Sequence, residues 1–211
     1  GRRLVPLGEF AQGLAAFRAE TAGTARGCNI TVPFKFDAAE AAQHLTERAK
    51  LAQAVNCLSL REDGIHGDNT DGVGLVNDIT LNAGVSLAGA DVLLIGAGGA
   101  SAGVLGPLLE SGAHRVVVAN GTLAKAITLV QRHATVALPH HADVEAQSLQ
   151  DVAGSFDVVI NASASSLAGA EVPVAAGVLK PGTLAVDMMY GPAAAGFLAW
   201  AREHGATPRD G

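Results

Sequence analysis

Aromatic side chains are scarce in this chain. They make up 4% of its 211 residues, with one Trp and one Tyr. A core must therefore be built from Ala, Val and Leu. Cysteine is scarcer still: Cys28 and Cys57 are the only two. Two thiols without metal-motif spacing exclude a secreted disulfide scaffold, and a reducing cytoplasm is the expected setting. Charge is low as well. Charged residues are 16%, and 14 Lys and Arg face 20 Asp and Glu, for a net charge of −6. That balance, with no basic run, argues against nucleic acid and against an anionic membrane surface as partners. No signal peptide is visible. The chain does not begin with Met, so an upstream segment is expected. One uncharged stretch, Val92 to Leu109, has the length of a membrane helix. Gly96, Gly98, Gly99, Gly103, Gly106 and Pro107 interrupt it, and a buried strand, a glycine turn and a helix explain it better.

What is present is aliphatic bulk and glycine. Hydrophobic residues are 49%, enough for a sizeable core and incompatible with disorder. Glycine is 26 of 211, roughly 12% against a usual level of about 7%. Without a triplet repeat this excludes collagen and points to tight turns between strands and helices. The length fits one large domain or two small ones. There is no internal repeat and no low-complexity linker.

Periodicity predicts a helix over 6–25, a strand over Asn29–Pro33 and a helix over Ala38–Ala54. A hairpin comes next, Val55–Leu60 and Ile65–Asn69 around Arg61-Glu62-Asp63-Gly64. Asp71 opens a helix through Asn82. The pattern then changes. Strands are expected at Val92–Ile95, Arg115–Ala119, Thr135–Leu138, Asp157–Asn161 and Thr183–Asp187. Helices are expected from the glycine turn to Ser111, over 122–133 and over Ala193–His204, the last capped by Gly205. Strands alternating with helices imply a doubly wound parallel sheet. The fold class is α/β with two domains, 1–78 and 79–211, the boundary lying in the 71–87 helix and loop.

Gly96-Ala97-Gly98-Gly99-Ala100-Ser101 stands after a strand and opens a helix. This is a dinucleotide fingerprint with Ser at the third glycine position. Gly96 permits the tight turn, Gly98 lets the backbone approach a pyrophosphate, and the helix N-terminus offers free amides. The other reading is a glycine turn that binds nothing. At the end of the second strand, an acid would mark NAD. Here stand Asn120-Gly121-Thr122 and then Lys125, so nothing repels a 2′-phosphate, yet no Arg completes a clamp. Asn120 and Thr122 also suit capping of the next helix.

Three polar stretches lie at strand ends or turns: Asn29 to Lys35, Ala54 to Asn56 and Gly67 to Gly72. A Lys and an Asp held together can exchange a proton with a hydroxyl. On the residues alone, Lys35 equally reads as a surface charge and Asp71 as a helix cap. The paired His140 and His141 lack acidic partners, so a loop is expected there and no metal.

Together these stretches resemble the shikimate dehydrogenase family. The resemblance runs from Arg3 to Gly211 and rests on NITVPFK at 29–35, AVNCL at 54–58, GDNTDGVG at 67–74, GAGGAS at 96–101 and DMMYGP at 187–192. It implies a substrate domain followed by a Rossmann-type NADP domain. It implies NADPH-dependent reduction of 3-dehydroshikimate to shikimate in aromatic amino-acid (chorismate) biosynthesis, by a cytoplasmic monomer or homodimer. Lys35 and Asp71 would be the catalytic pair. Thr31, Asn56, Asp71 and Tyr190 would bind substrate, with Asn29 supporting the first motif. The cofactor would meet Gly96, Ala97, Gly98, Gly99, Ala100, Asn120, Thr122, Lys125, Ala162, Ser163, Met188 and Gly211, with Glu47 nearby.

The chain departs from the family pattern in four places. A Ser-x-Ser segment for the substrate carboxylate is not in it, nor is a C-terminal helix with a substrate-binding Gln. Both are expected to be missing from this stretch rather than from the natural protein. Gly121 stands where the family has Arg, which removes a bidentate phosphate partner. Cys57 stands where it has Thr. Two rival functions arise: an NAD-dependent quinate/shikimate dehydrogenase, and a catalytically silent dinucleotide-binding redox sensor.

Overall fold

Runs such as Val92–Ile95 and Arg115–Ala119 have no polar face, so they need cover on both sides. That is the condition of a central parallel strand. The computed structural model describes residues 3–21, 24–163 and 171–211 and divides into two compact units, Gly1–Asp71 and Gly72–Gly211.

The first unit contains α1 (Phe10–Glu20), β1 (Gly27–Asn29), α2 (Lys35–Ala41), β2 (His44–Leu45), α3 (Glu47–Ala52), β3 (Cys57–Arg61) and β4 (Gly64–Asp68). Its sheet has the order β1-β3-β4-β2. β3 runs antiparallel to β1 and β4, while β2 runs parallel to β4. Phe10, Leu14, Ala38, Ala49, Val55 and Leu58 form its core.

Three expectations need correction here. The first helix begins at Phe10, because residues before it make a turn closed by the Glu9 N–H on the Pro6 carbonyl. Leu7 is accordingly exposed. Ala22 and Gly23, in the expected tail of that helix, lie outside the described residues. The expected strand at 29–33 ends at Asn29, since the Thr31 carbonyl accepts the Phe34 N–H in a tight turn around Pro33. The expected 38–54 helix is two helices separated by β2. Thr46 restarts the helix by accepting the Ala49 N–H, a side-chain N-cap.

The second unit begins with α4 (Asp71–Asn77, its first residue shared with the first unit) and a π-helical turn, Asp78–Asn82. It continues with β5 (Asp91–Ile95), α5 (Gly99–Glu110), β6 (Arg115–Asn120), α6 (Leu123–Ala137), β7 (Asp143–Ser148), β8 (Phe156–Asn161), β9 (Leu179–Asp187), α7 (Ala195–Glu203) and β10 (Thr207–Asp210). Six parallel strands stand in the order β10-β9-β8-β5-β6-β7. This is the doubly wound α/β order, with its switch point between β5 and β8. Val92, Leu93, Leu94 and Ile95 are all 0% exposed, so both faces of the sheet are covered. No helix of the described residues is long and apolar enough to cross a membrane.

The third strand is not at 135–138. Thr135 and Val136 are β-branched, but they continue α6, whose buried residues Ala126, Leu129, His133 and Ala137 keep helical spacing. The strand is β7, Asp-Val-Glu-Ala-Gln-Ser, with little strand propensity of its own and held by its ladder on β6. Gly205 ends α7 as expected. Its N–H reaches the Arg202 carbonyl and that of Ala206 reaches Ala201, the Schellman pattern.

α5 contains Pro107, which leaves the Gly103 carbonyl without its usual donor. Gly72 of α4 packs against that carbonyl and the Pro107 ring. A Cβ on Gly72 would sit 2.4 Å from the Gly103 oxygen, so the two helices cross at glycine.

His133 is 1% exposed within α6. Its Nδ1 lies 2.9 Å from the Leu129 carbonyl, and burial lowers its pKa from the usual histidine value. The unfolded chain binds this proton more readily, so stability falls as pH drops below the ordinary value of about 6.5. Chemical denaturation between pH 7 and pH 5 should show that loss in the parent and a weaker one in His133→Leu.

Candidate active site

Lys35 opens α2, and Asp71 opens α4. A carboxylate suits a helix N-terminus, whereas an ammonium there opposes the helix dipole. Lys35 is placed nonetheless, because Asp71 receives it: Lys35 Nζ donates to Asp71 Oδ2 at 2.5 Å. The two side chains are 15% and 17% exposed, shielded from bulk water yet reachable by a small molecule.

The second oxygen of Asp71 is also occupied. Asn56 Nδ2 donates to Asp71 Oδ1 at 2.8 Å, and Asn56 Oδ1 accepts the Thr70 N–H at 3.0 Å. The buried Asn69 accepts the Asp71 N–H at 3.1 Å and donates to the Ala54 carbonyl at 3.0 Å. Lys35 itself is anchored through its carbonyl, which accepts the Val55 N–H at 2.8 Å. The Lys35–Asp71 pair is thus tied to the β3–β4 hairpin and its flanks.

Asp68 closes the arrangement from behind. Its carboxylate takes a two-pronged bond from Arg48, at 2.7 and 2.6 Å, and accepts the Thr46 hydroxyl at 2.7 Å. Its Oδ1 also accepts the Asn69 N–H at 2.8 Å, and its carbonyl accepts the Asn56 N–H at 3.0 Å. Arg48 above all, with Thr46 and the Asn69 amide, holds the Asp68 carboxyl down at about 2. The sequence reasoning did not single out Arg48, Asp68 or Asn69. A signal existed in Asn69, a polar residue between the paired Asp68 and the helix-opening Asp71.

Of the other residues expected here, Thr31 lies exposed in the turn before Lys35. Asn29 closes β1 opposite Cys57. Glu47 pairs with Lys50 at 2.7 Å on α3 and makes no hydrogen bond to Lys35, Asn56 or Asp71.

In the second unit the glycine turn lies at the β5/β8 switch point. Gly96 has φ +109°, and a Cβ there would sit 3.1 Å from Ala162 and Ser163 backbone atoms. Only glycine meets both conditions. A Cβ on Gly98 would meet nothing within 4 Å, so open space faces the start of α5, whose first amides have no partner within the helix. Ala97 lies in that turn, and Gly99 and Ala100 open α5. Ser101, at the third glycine position, is fully buried in α5.

Asn120 Nδ2 donates to the Thr122 carbonyl at 2.9 Å, and the Lys125 N–H reaches the same oxygen at 3.0 Å. Thr122 is the N-cap of α6 but makes no side-chain cap bond, so its hydroxyl is not used in the way a capping role requires. Gly121, Thr122 and Lys125 are all exposed. A further pair escaped the sequence reasoning. Asn161 and the fully buried Asp187 join the ends of β8 and β9 at 3.1 Å. Asn161 Oδ1 then accepts the Ser163 hydroxyl at 2.7 Å, and Asp187 Oδ1 the Met189 N–H at 2.9 Å. The Met188 N–H reaches the Asn161 carbonyl at 2.9 Å. A Cβ on Gly211 would lie 3.1 Å from the Met188 oxygen. Tyr190 comes next along the chain from Met189, 62% exposed.

Comparison with known proteins bears on both units. Residues 78–187 match the family described as shikimate / quinate 5-dehydrogenase, and residues 4–58 the shikimate dehydrogenase substrate binding domain. The chain is 60% identical to the shikimate dehydrogenase (NADP(+)) of Verminephrobacter eiseniae, over 100% of this chain and 72% of that one. It is 61% identical to the protein of the same name from Paracidovorax citrulli, over 100% and 74%. Among solved structures, shikimate 5-dehydrogenase from Thermus thermophilus, in complex with NADP(H) and shikimate, superposes with a TM-score of 0.74 at 25% identity, over 97% of this chain and 72% of that one.

Asp68→Asn should lower stability by about 1–3 kcal/mol, the scale of a charge-assisted hydrogen bond. The folded carboxyl titrates below its unfolded value of about 3.9. Its contribution is therefore complete above about pH 4 and lost as pH falls towards 2. Unfolding curves of parent and variant should converge over that range.

Proposed function

The chain belongs to the shikimate dehydrogenase family, and from that premise we propose that it catalyses the reversible NADPH-dependent reduction of 3-dehydroshikimate to shikimate. The Lys35–Asp71–Asn56 cluster is the observation that carries the reading, because a module that only bound nucleotide would need no shielded ammonium–carboxylate pair. Residues 1–78 take the substrate role and 79–211 the dinucleotide role; the match of residues 4–58 to a substrate binding domain supports the first assignment.

In the reductive direction the substrate carbonyl oxygen accepts a proton from the Lys35 ammonium as the carbon becomes a carbinol. Asp71 holds Lys35 in position and stabilises its charge before the transfer; solvent restores the proton afterwards. In the oxidative direction the same pair takes the hydroxyl proton. Asn56, Thr31 and Tyr190 orient the ring through its hydroxyls. NADP, when bound, supplies the hydride chemistry. The open space at Gly98 and the amides of α5 fit its pyrophosphate. Gly96, Ala97, Gly99, Ala100, Ala162, Ser163, Met188 and Gly211 would line its path, with Asn120, Thr122 and Lys125 around the adenosine phosphate and Glu47 at the margin. The setting is the cytoplasm, in keeping with the free thiols of Cys28 and Cys57.

The test is turnover by the full-length gene product, with shikimate and quinate each offered NADP and NAD. Shikimate with NADP is the expected pair. Lys35→Ala should reduce kcat by about 10²–10⁴-fold, the scale of a lost general acid–base, with cofactor binding retained. Activity equal to the parent would refute the role of Lys35, and binding without turnover in any combination would favour the redox sensor.

Gly121 motivates the NAD-dependent rival and also allows its test. It has no positive φ, and a Cβ there would meet only Leu149 at 3.7 Å, so an Arg side chain fits the backbone. Gly121→Arg should lower KM for NADP about ten-fold or more through charge-assisted bonds to the 2′-phosphate, leaving NAD little changed. An equal effect on both cofactors would remove Thr122 and Lys125 from the phosphate site.

A further inference from the structure

The far end of the β3–β4 hairpin carries side chains that the proposed reaction does not use. β2 is the outer strand of its sheet and only two residues long. It pairs parallel with β4, with His44 directly opposite His66. Residues opposite one another on neighbouring strands leave on the same face, and the two imidazoles stand stacked with centroids 4.4 Å apart. Asp63 belongs to the turn joining β3 to β4. Its Oδ1 lies 2.9 Å from His66 Nε2, and its carbonyl oxygen 3.3 Å from His44 Nε2. One donor atom from each of His44, Asp63 and His66 lies within 4.8 Å of the other two.

We propose that these three residues bind a divalent transition-metal ion, zinc by the donor set. Two imidazole nitrogens and one carboxylate oxygen are borderline donors suited to zinc, cobalt or nickel rather than to magnesium or calcium. Bonds of about 2.0–2.2 Å place tetrahedral ligands roughly 3.3 Å apart, so the trio closes by about an ångström around the ion. His44 and Asp63 are exposed and His66 half-buried, so the ion enters from solvent and the fold need not open. Three protein ligands leave a fourth position for water. His140 and His141, the pair visible in the sequence, play no part.

The register shows what the ion does. β3 and β4 run from Cys57↔Asp68 at one end to Arg61↔Gly64 at the other. The metal site is at the turn end, while Asn56 and Asp71 flank the opposite end, roughly 13 Å away along the strands. The ion therefore acts as a clip and not as a catalytic metal. β2 is held to β4 by a short ladder, by Gln43 bonds to Ile65 and by the Thr46 N–H on Gly67. A metal bridge from His44 to His66 pins this short edge strand to the hairpin.

The full chain, freed of metal with a chelator, is titrated with Zn²⁺ alone by calorimetry and with Co²⁺ alone by visible absorption. One saturable equivalent and a Tm that rises with free Zn²⁺ are expected. His44→Asn, His66→Asn and Asp63→Asn should each weaken binding about ten-fold or more, while turnover without metal stays at the parent's level. His140→Asn with His141→Asn should leave binding intact. Absence of saturable binding up to about 1 mM Zn²⁺, or binding unchanged in the His44 and His66 variants, overturns the proposal. His44 and Asp63 are exposed, so their variants keep the test open should His66→Asn fail to fold.

Discussion

An ammonium at the start of a helix is electrostatically misplaced, and the first unit is arranged around correcting that. Lys35 occupies the first turn of α2, where the partial positive charge of the helix opposes it. Asp71 offsets it from the favourable start of another helix. Asn56 occupies the remaining carboxylate oxygen. The hairpin between β3 and β4 brings Asn56 and Asp68 to one end, and Asn69, buried just past it, holds the Asp71 backbone. Local preference is violated at one residue and satisfied at those around it, as is common at functional sites.

The second unit solves a different problem. Its strand ends must present backbone, so it uses glycine where a Cβ would collide and a buried polar pair where a loop must be held. Gly96 lets β5 turn against Ala162 and Ser163. Asn161 and Asp187 then fix the chain just beyond β8 and β9. A fully buried carboxylate is costly unless hydrogen-bonded. Asp187 meets that condition with an amide side chain and a backbone N–H, and the direction of the chain at Met188 and Met189 is set as a result.

Legibility in the sequence tracks the strength of the local signal. β5, α5, β6, β8 and α7 were visible because aliphatic runs are punctuated by glycine. β7 and β10 were not. The first has one strongly strand-forming residue, Val144, and the second contains Pro208, tolerated because β10 is an edge strand. β2 is too short to have a period. Lys35 and Asp71 are 36 residues apart, and no spacing rule joins them; the motif resemblance did. Asp68 and Asn69 lie inside a resembling motif that singles neither out, and Arg48, on α3, lies outside every motif, so only tertiary structure shows that Arg48 grips Asp68.

The poverty in charge and aromatics acquires a physical meaning here. In an aliphatic core a buried polar group is costly unless it is tied, so those that are tied mark backbone held in place. Among the described residues, the buried polar ones are Asn69, Ser101, His133, Asn161, Thr183 and Asp187. Asn69 lies just past β4 in the first unit and Asn161 and Asp187 at the ends of β8 and β9 in the second, and each accepts a nearby backbone N–H, from Asp71, Ser163 and Met189 in turn. Thr183 does the same work away from the site, with its hydroxyl on the Phe156 carbonyl, and His133 lies inside α6. A buried polar residue is thus evidence of a fixed chain. It becomes evidence of function only where the chain it fixes leads to open space.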